Sequence, residues 1–226
     1  MIFNGRSLNE INLDDLRLLV DNRVPESFHL EFKQTAYGRA PDERREMLRD
    51  ITALANADGG YLIIGMREDA SYRAAEMTPI DNAQQIAQAM RQACMDGIRD
   101  RVEALEIKDY ETGFNQGLVV VRVPPSQRRP HMMTLDGRTD FYRRYDTDKR
   151  AMTITEIREL VLLNPQFRRL VELEIQGQEL GSKEMVSVES APPYVQLLTE
   201  RPVERFLNRY LTGGTVAQSL VVVSSP

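Results

Sequence analysis

The stretch ANADGGYLIIGMRED (residues 55–69) sets an apolar run, Tyr61 to Met66, between a double glycine and the acids Glu68 and Asp69. Upstream of it, Met47, Ile51 and Leu54 recur at helical spacing, with Arg44, Arg45 and Arg49 on other faces. Pro41 and Asp42 suit the start of that helix. Its end is Asp58-Gly59-Gly60, where glycine permits the positive φ that stops a helix. YLIIGM then lacks alternation altogether, the pattern of a short strand covered on both faces. A strand buried on both faces needs a layer of structure on each side.

Working outward, FHLEFKQ (28–34) does alternate: Phe28, Leu30 and Phe32 point one way, His29, Glu31 and Lys33 the other. This is a half-buried strand with a polar face. Before it, NLDDLRLLVDN (12–22) predicts a short helix, capped by Asn12 and striped by Leu16, Leu19 and Val20. After the central strand, Ile86, Met90, Ala93 or Cys94, and Ile98 mark a second amphipathic helix over about 81–97. ALEIKDY and GLVVVRV form a hairpin, and Pro124-Pro125 ends its second strand. A further hairpin turns at Asp136-Gly137 with FYRRY (141–145) as its return strand, and Thr153 or Thr155 starts a helix through Leu163.

The order β-α-β-α-β-β is that of an α+β domain, a mixed sheet packed with helices over residues 1–163. Residues 164–226 form a small α/β appendage, with helices expected at 166–175 and 196–211 and strands at 184–190 and 219–224. We expect it to serve oligomerisation or partner binding. No basic start with an apolar h-region opens the chain, and no run reaches the roughly 18 apolar residues of a membrane span. With a single cysteine, Cys94, the expectation is a cytoplasmic protein without a disulfide framework or a multi-cysteine zinc site.

The net charge of −5 argues against a protein that coats nucleic acid with its whole surface, but the charge is uneven. Residues 121–150 hold eight Arg or Lys against four Asp, a local basic excess that can attract a polyanion. Within it, Arg128 and Arg129 precede Pro130-His131, a histidine able to serve as general acid or phosphate donor or simply as a bonded turn residue. FYRRY interleaves Tyr142, Arg143, Arg144 and Tyr145, which suits phosphate clamping and base stacking as well as an ordinary strand.

A second constellation is acidic. Glu26 at the mouth of a strand and Glu31 on its polar face can approach each other, and close carboxylates hold hard divalent ions such as Mg²⁺ or Mn²⁺. Such an ion stabilises charge during phosphodiester cleavage. A third ligand would come from Glu68 or Asp69, and Lys33 would neutralise the scissile phosphate. Glu and Lys two apart on a strand also describe a plain exposed ion pair. Gly59-Gly60 belongs to neither a P-loop nor a dinucleotide fingerprint, so no nucleotide cofactor is expected.

Four stretches together, ESFHLEFK (26–33), ITALANADGGYLIIGM (51–66), VVVRVPPSQRRPHMM (119–133) and FYRRYDTDKRAMTITEI (141–157), resemble the Schlafen AlbA-type domain, also described as divergent AAA group 4. The resemblance spans residues 12 to about 163. It implies nucleic-acid binding: bacterial members are described as DNA-binding or transcriptional regulators, and animal members include endoribonucleases that cut structured RNA such as tRNA at a three-carboxylate metal site. By position that site implies Glu26, Glu31 and Glu68, with Arg67 where the family has the first Asp of I-G-V-D-D and Asp69 as a substitute ligand. Nuclease members pair two similar lobes around a basic cleft. This chain shows one, so the resemblance implies a homodimer or higher homo-oligomer, and a structural oligomer that keeps the fold and has lost the site is a further alternative.

Overall fold

The computed structural model describes residues 2–164, and the elements expected within 166–226 lie outside them. The chain divides into two compact units. One holds residues up to Ser126 together with His131–Thr153, and the other holds Gln127–Pro130 and the chain from Ile154.

In the first unit the opening helix is α1 (Leu13–Asp21). Asn12 caps it by accepting from the amides of Asp14 and Asp15 at 2.9 and 3.1 Å, and Asp15 returns a bond to the Asn12 amide. Then come β1 (Leu30–Lys33), α2 (Pro41–Ala55) and β2 (Gly60–Ile64). Two glycines make the α2–β2 junction possible. Gly59 has φ +73°, and a Cβ there would meet the Val123 carbonyl at 2.4 Å. A Cβ on Gly60 would meet the His29 carbonyl at 2.5 Å. The junction is therefore a helix stop wedged between two other backbone segments, a role only glycine fills.

After Gly65, β3 (Met66–Glu68) and β4 (Ala74–Met77) form a hairpin, followed by β5 (Ile80–Asp81), α3 (Ala83–Gly97) and β6 (Ile98–Arg99). The long hairpin is β7 (Glu106–Gly113) and β8 (Gln116–Val123). Two short hairpins end the unit: β9 (Met132–Leu135) with β10 (Arg138–Asp140), and β11 (Tyr142–Tyr145) with β12 (Asp148–Ala151). In the second unit, α4 (Ile154–Leu163) follows, and Asn164 donates to the Arg129 carbonyl at 3.3 Å.

The fold is α+β, as expected. β2 lies between β1, its parallel neighbour, and β8, which runs antiparallel. β7 takes the other edge of β8, and β5 continues the β2 row. Every residue of β2 is buried. Leu62 and Ile64 join Leu48, Ile51 and Leu54 of α2 and Ala87 and Met90 of α3. Tyr61 and Ile63 face the other way, onto Leu16 and Leu19 of α1. Each such fully buried aliphatic side chain contributes about 1.5–3 kcal/mol.

Two expectations need correction. The apolar run does not stay one strand to Met66: Gly65, at φ +90°, turns the chain so that Glu68 sits on a separate hairpin. FYRRY is not the return strand of the Asp136-Gly137 turn. Arg138–Asp140 returns, and Tyr142–Tyr145 pairs instead with Asp148–Ala151. Among the described residues, no helix is long and apolar enough to cross a membrane.

Candidate functional site

The alternation of β1 places Leu30 and Phe32 in the α1-side core and turns Glu31 and Lys33 toward α2. That polar face is not open to water. Glu31 is only 6% exposed, and Asp50, on the inner side of α2, only 3%. The β11–β12 hairpin closes over them: its residues 143 and 145 share one face, and 142 and 144 the other. Arg144 is 2% exposed. Its Nη1 pairs with Glu31 Oε2, Nη2 donates to the Leu30 carbonyl at 3.2 Å, and Nε donates to Ser27 and Asp146 carbonyls at 3.2 and 3.0 Å.

Lys149, directly across from Arg144, donates to Glu31 Oε1 at 2.6 Å. It also lies 2.7 Å from Asp50 Oδ1, an ion pair whose angle falls short of a hydrogen bond. Lys33 donates to Glu46 at 3.0 Å and lies 3.7 Å from Glu31 and 3.6 Å from Asp50. Tyr37 completes the group by donating its hydroxyl to Asp50 Oδ2 at 2.7 Å. Burial works to raise the Glu31 carboxyl, yet Lys149 and Arg144 together hold it below its ordinary range. Tyr37 is pushed well above its usual range by burial and by the Asp50 charge.

Glu26 and Glu68 stand at the margin of this group. Glu26 Oε1 accepts from the Phe32 amide at 2.7 Å, and Glu68 stands near enough for Glu26 to act on its carboxyl. Glu68 Oε2 is buried with no partner among the described residues. Both carboxyls are raised, first by burial and then by the charge of Glu31. The three carboxylates thus feel one another, but they do not form a metal-ligand set. Both oxygens of Glu31 are engaged by protein cations, and among the described residues no three His, Cys, Asp or Glu are arranged to hold an ion. A divalent metal does not fit the residues as they stand. Asp69 Oδ1 accepts from the amides of Ser71 and Arg73 and so shapes the β3–β4 turn. Lys33 is likewise held among carboxylates rather than offered to a phosphate.

The expected nucleic-acid contacts divide in the same way. Arg144 and His131 point inward: His131 is fully buried, with Nδ1 on the Asp100 carbonyl and Nε2 2.8 Å from Ser126 Oγ. Tyr142 packs against the α2-side core. Arg143 stays on the outward face of its hairpin, directly across from the exposed Arg150. Arg150 stacks on the Tyr145 ring with Cζ 3.8 Å from the centroid, and Arg143 reaches the same ring at 5.9 Å. Arg128 and Arg129, half-buried, belong to the second unit.

Sequence reasoning missed Asp50, Lys149 and Asn56. Asp50 carried a signal, since it stands beside Met47, Ile51 and Leu54 on the buried stripe of α2. Asn56 closes α2 and is fully buried. It donates to the carbonyls of His131 and Tyr142, each at 2.8 Å, and accepts from the His131 amide at 2.6 Å.

The family model described as Schlafen, AlbA_2 matches residues 26–153, more than half of the chain. The chain belongs to the Schlafen AlbA_2 family. Membership associates this Schlafen AlbA_2 chain with nucleic-acid-related function. Similar solved structures include the DIP2311 protein from Corynebacterium diphtheriae, at 15% identity and TM-score 0.45, covering 92% of this chain and 36% of that one. The N-terminal domain of a RecG-related protein from Nitrosomonas europaea matches at 22% identity and TM-score 0.40, covering 60% of this chain and 92% of that one. A search of curated proteins gives no match.

Proposed function

We propose that this Schlafen AlbA_2 chain is a nucleic-acid-binding module that engages RNA or DNA through the outward face of the β11–β12 hairpin and does not cleave it by a metal-dependent route. The observation that carries the reading is the Arg143–Tyr145–Arg150 face: two guanidinium groups opposite each other on neighbouring strands, meeting over one aromatic ring. Guanidinium groups bind phosphate oxygens bidentately, and an arginine–aromatic stack is a platform for a base. A homodimer belongs to the same reading, because two copies bring two such faces.

Fluorescence anisotropy with a labelled single strand, a duplex DNA and a tRNA at low and moderate salt tests it. We expect salt-sensitive binding that Arg143→Ala and Arg150→Ala each weaken by about tenfold, roughly 1–3 kcal/mol per lost contact. Affinity unchanged in both variants overturns the reading. Incubating tRNA with the protein and Mn²⁺ is expected to leave the RNA intact, and cleavage abolished by Glu31→Ala would restore the endoribonuclease reading.

A further inference from the structure

We infer that Glu31, backed by Asp50, is a positioning residue that clamps the inward face of the β11–β12 hairpin and thereby sets the Arg143–Tyr145–Arg150 face. The position that the family resemblance makes a metal ligand is filled here by protein-borne cations. The functional consequence rests on the nucleic-acid reading above, whereas the clamp rests on geometry alone.

The hairpin needs such a clamp. Among the described residues, β11 and β12 form a sheet of two strands, paired over Tyr142–Tyr145 and Asp148–Ala151. Two strands of that length are marginal in water without something to pack against. Their inward face also carries a conflict, because Arg144 and Lys149 stand directly opposite each other. Like charges at such a position repel. Glu31 resolves this by giving one oxygen to each: Oε2 to Arg144 and Oε1 to Lys149. Asp50 adds a second counter-charge 2.7 Å from Lys149. Backbone bonds complete the seat, from Arg144 to the Ser27 and Leu30 carbonyls and from Asn56 to the Tyr142 carbonyl.

Alternation then ties the two faces together. If the inward pair is seated on Glu31, the residues between and beside it, Arg143, Tyr145 and Arg150, must face out. The outward pair repeats the inward arrangement, with Arg143 opposite Arg150.

The sign of one substitution decides the matter. Glu31→Gln removes a negative charge near the proposed path of a polyanion, so simple electrostatics predicts tighter binding. Positioning predicts the opposite: about tenfold weaker binding to the labelled single strand, the equivalent of losing one or two contacts. Hydrogen exchange read alongside should show amides of residues 142–151 exchanging about tenfold faster or more, with those of 61–64 and 118–121 unchanged. Lys149→Met should reproduce the faster exchange, and Lys149→Arg should restore protection. Unchanged exchange in 142–151, or Glu31→Gln binding as tightly as wild type, overturns the inference. If the wild-type protein binds no nucleic acid, the functional reading falls, and exchange alone still decides the clamp.

Discussion

Glu31→Gln also has a calculable effect on stability. Removing one partner of a buried ion pair leaves an uncompensated charge, at a cost of about 3–5 kcal/mol. Two features place this case at the lower end. Arg144 keeps three backbone carbonyls at 3.0–3.2 Å, and Lys149 keeps Asp50 at 2.7 Å. One effect opposes the loss, since Glu31 repels Glu26 and Glu68 and its neutralisation relieves both. Direct contact wins, because the Lys149 bond is 2.6 Å long, whereas burial outweighs the Glu31 charge as the cause that raises both marginal carboxyls. The expected cost is about 3 kcal/mol, a drop of roughly 6–12 °C in melting temperature for a chain of this size. Urea and thermal unfolding at neutral pH measure it. A melting temperature that rises instead would mean that Glu31 sits among acids awaiting a metal, and would refute the reasoning. The pH dependence has a definite sign. Glu31 is held below its ordinary value of 4.5, so its stabilisation is present above that value and disappears as pH falls through the lower folded one. The gap between wild type and Glu31→Gln should therefore close in acid.

Asn56→Ala removes three buried hydrogen bonds and leaves the His131 amide and the His131 and Tyr142 carbonyls without their partner. At about 1–3 kcal/mol for each unsatisfied group, urea unfolding should show a loss of about 3 kcal/mol or more, and a loss below about 1 kcal/mol would contradict the assignment. Glu106 fastens the N-terminal segment to β7 by accepting from Ser7 Oγ at 2.6 Å and the Leu8 amide at 2.7 Å. Burial opposes its ionisation, but those bonds and Arg122 hold its carboxyl below the usual range. Glu106→Gln should cost about 1–2 kcal/mol at pH 7, with the difference from wild type shrinking below pH 4.5 as the wild-type carboxylate takes up its proton.

Much of the architecture was legible in local pattern. Asn12 and Asp15 announce α1, Met47, Ile51 and Leu54 announce α2, and the double glycine marks its stop. The hairpin of β7 and β8 follows from two apolar runs and a turn. The β3–β4 hairpin was not legible, because Gly65 breaks a run that stays apolar on both sides of the bend, and a bulge between Arg67 and Glu68 hides the alternation. The pairing of β11 with β12 was missed for a related reason: Arg138–Asp140 is a short, polar return strand with no apolar signature.

The candidate site divides along the same line. Sequence spacing by itself determined that Glu31 and Lys33 share a face of β1, that FYRRY alternates, and that basic charge gathers in residues 121–150. These are properties of residues close in the chain, and strand geometry settles them. Only the tertiary structure decided what Glu31 meets. Arg144 lies 113 positions away and Lys149 lies 118, and both arrive because their hairpin folds over β1 and α2. A carboxylate on the polar face of a strand can hold a metal, a water or a cation of the same chain. Which of them it holds depends on the charges the rest of the fold places within about 4 Å, because at that range and in that degree of burial one ion pair outweighs any preference encoded nearby.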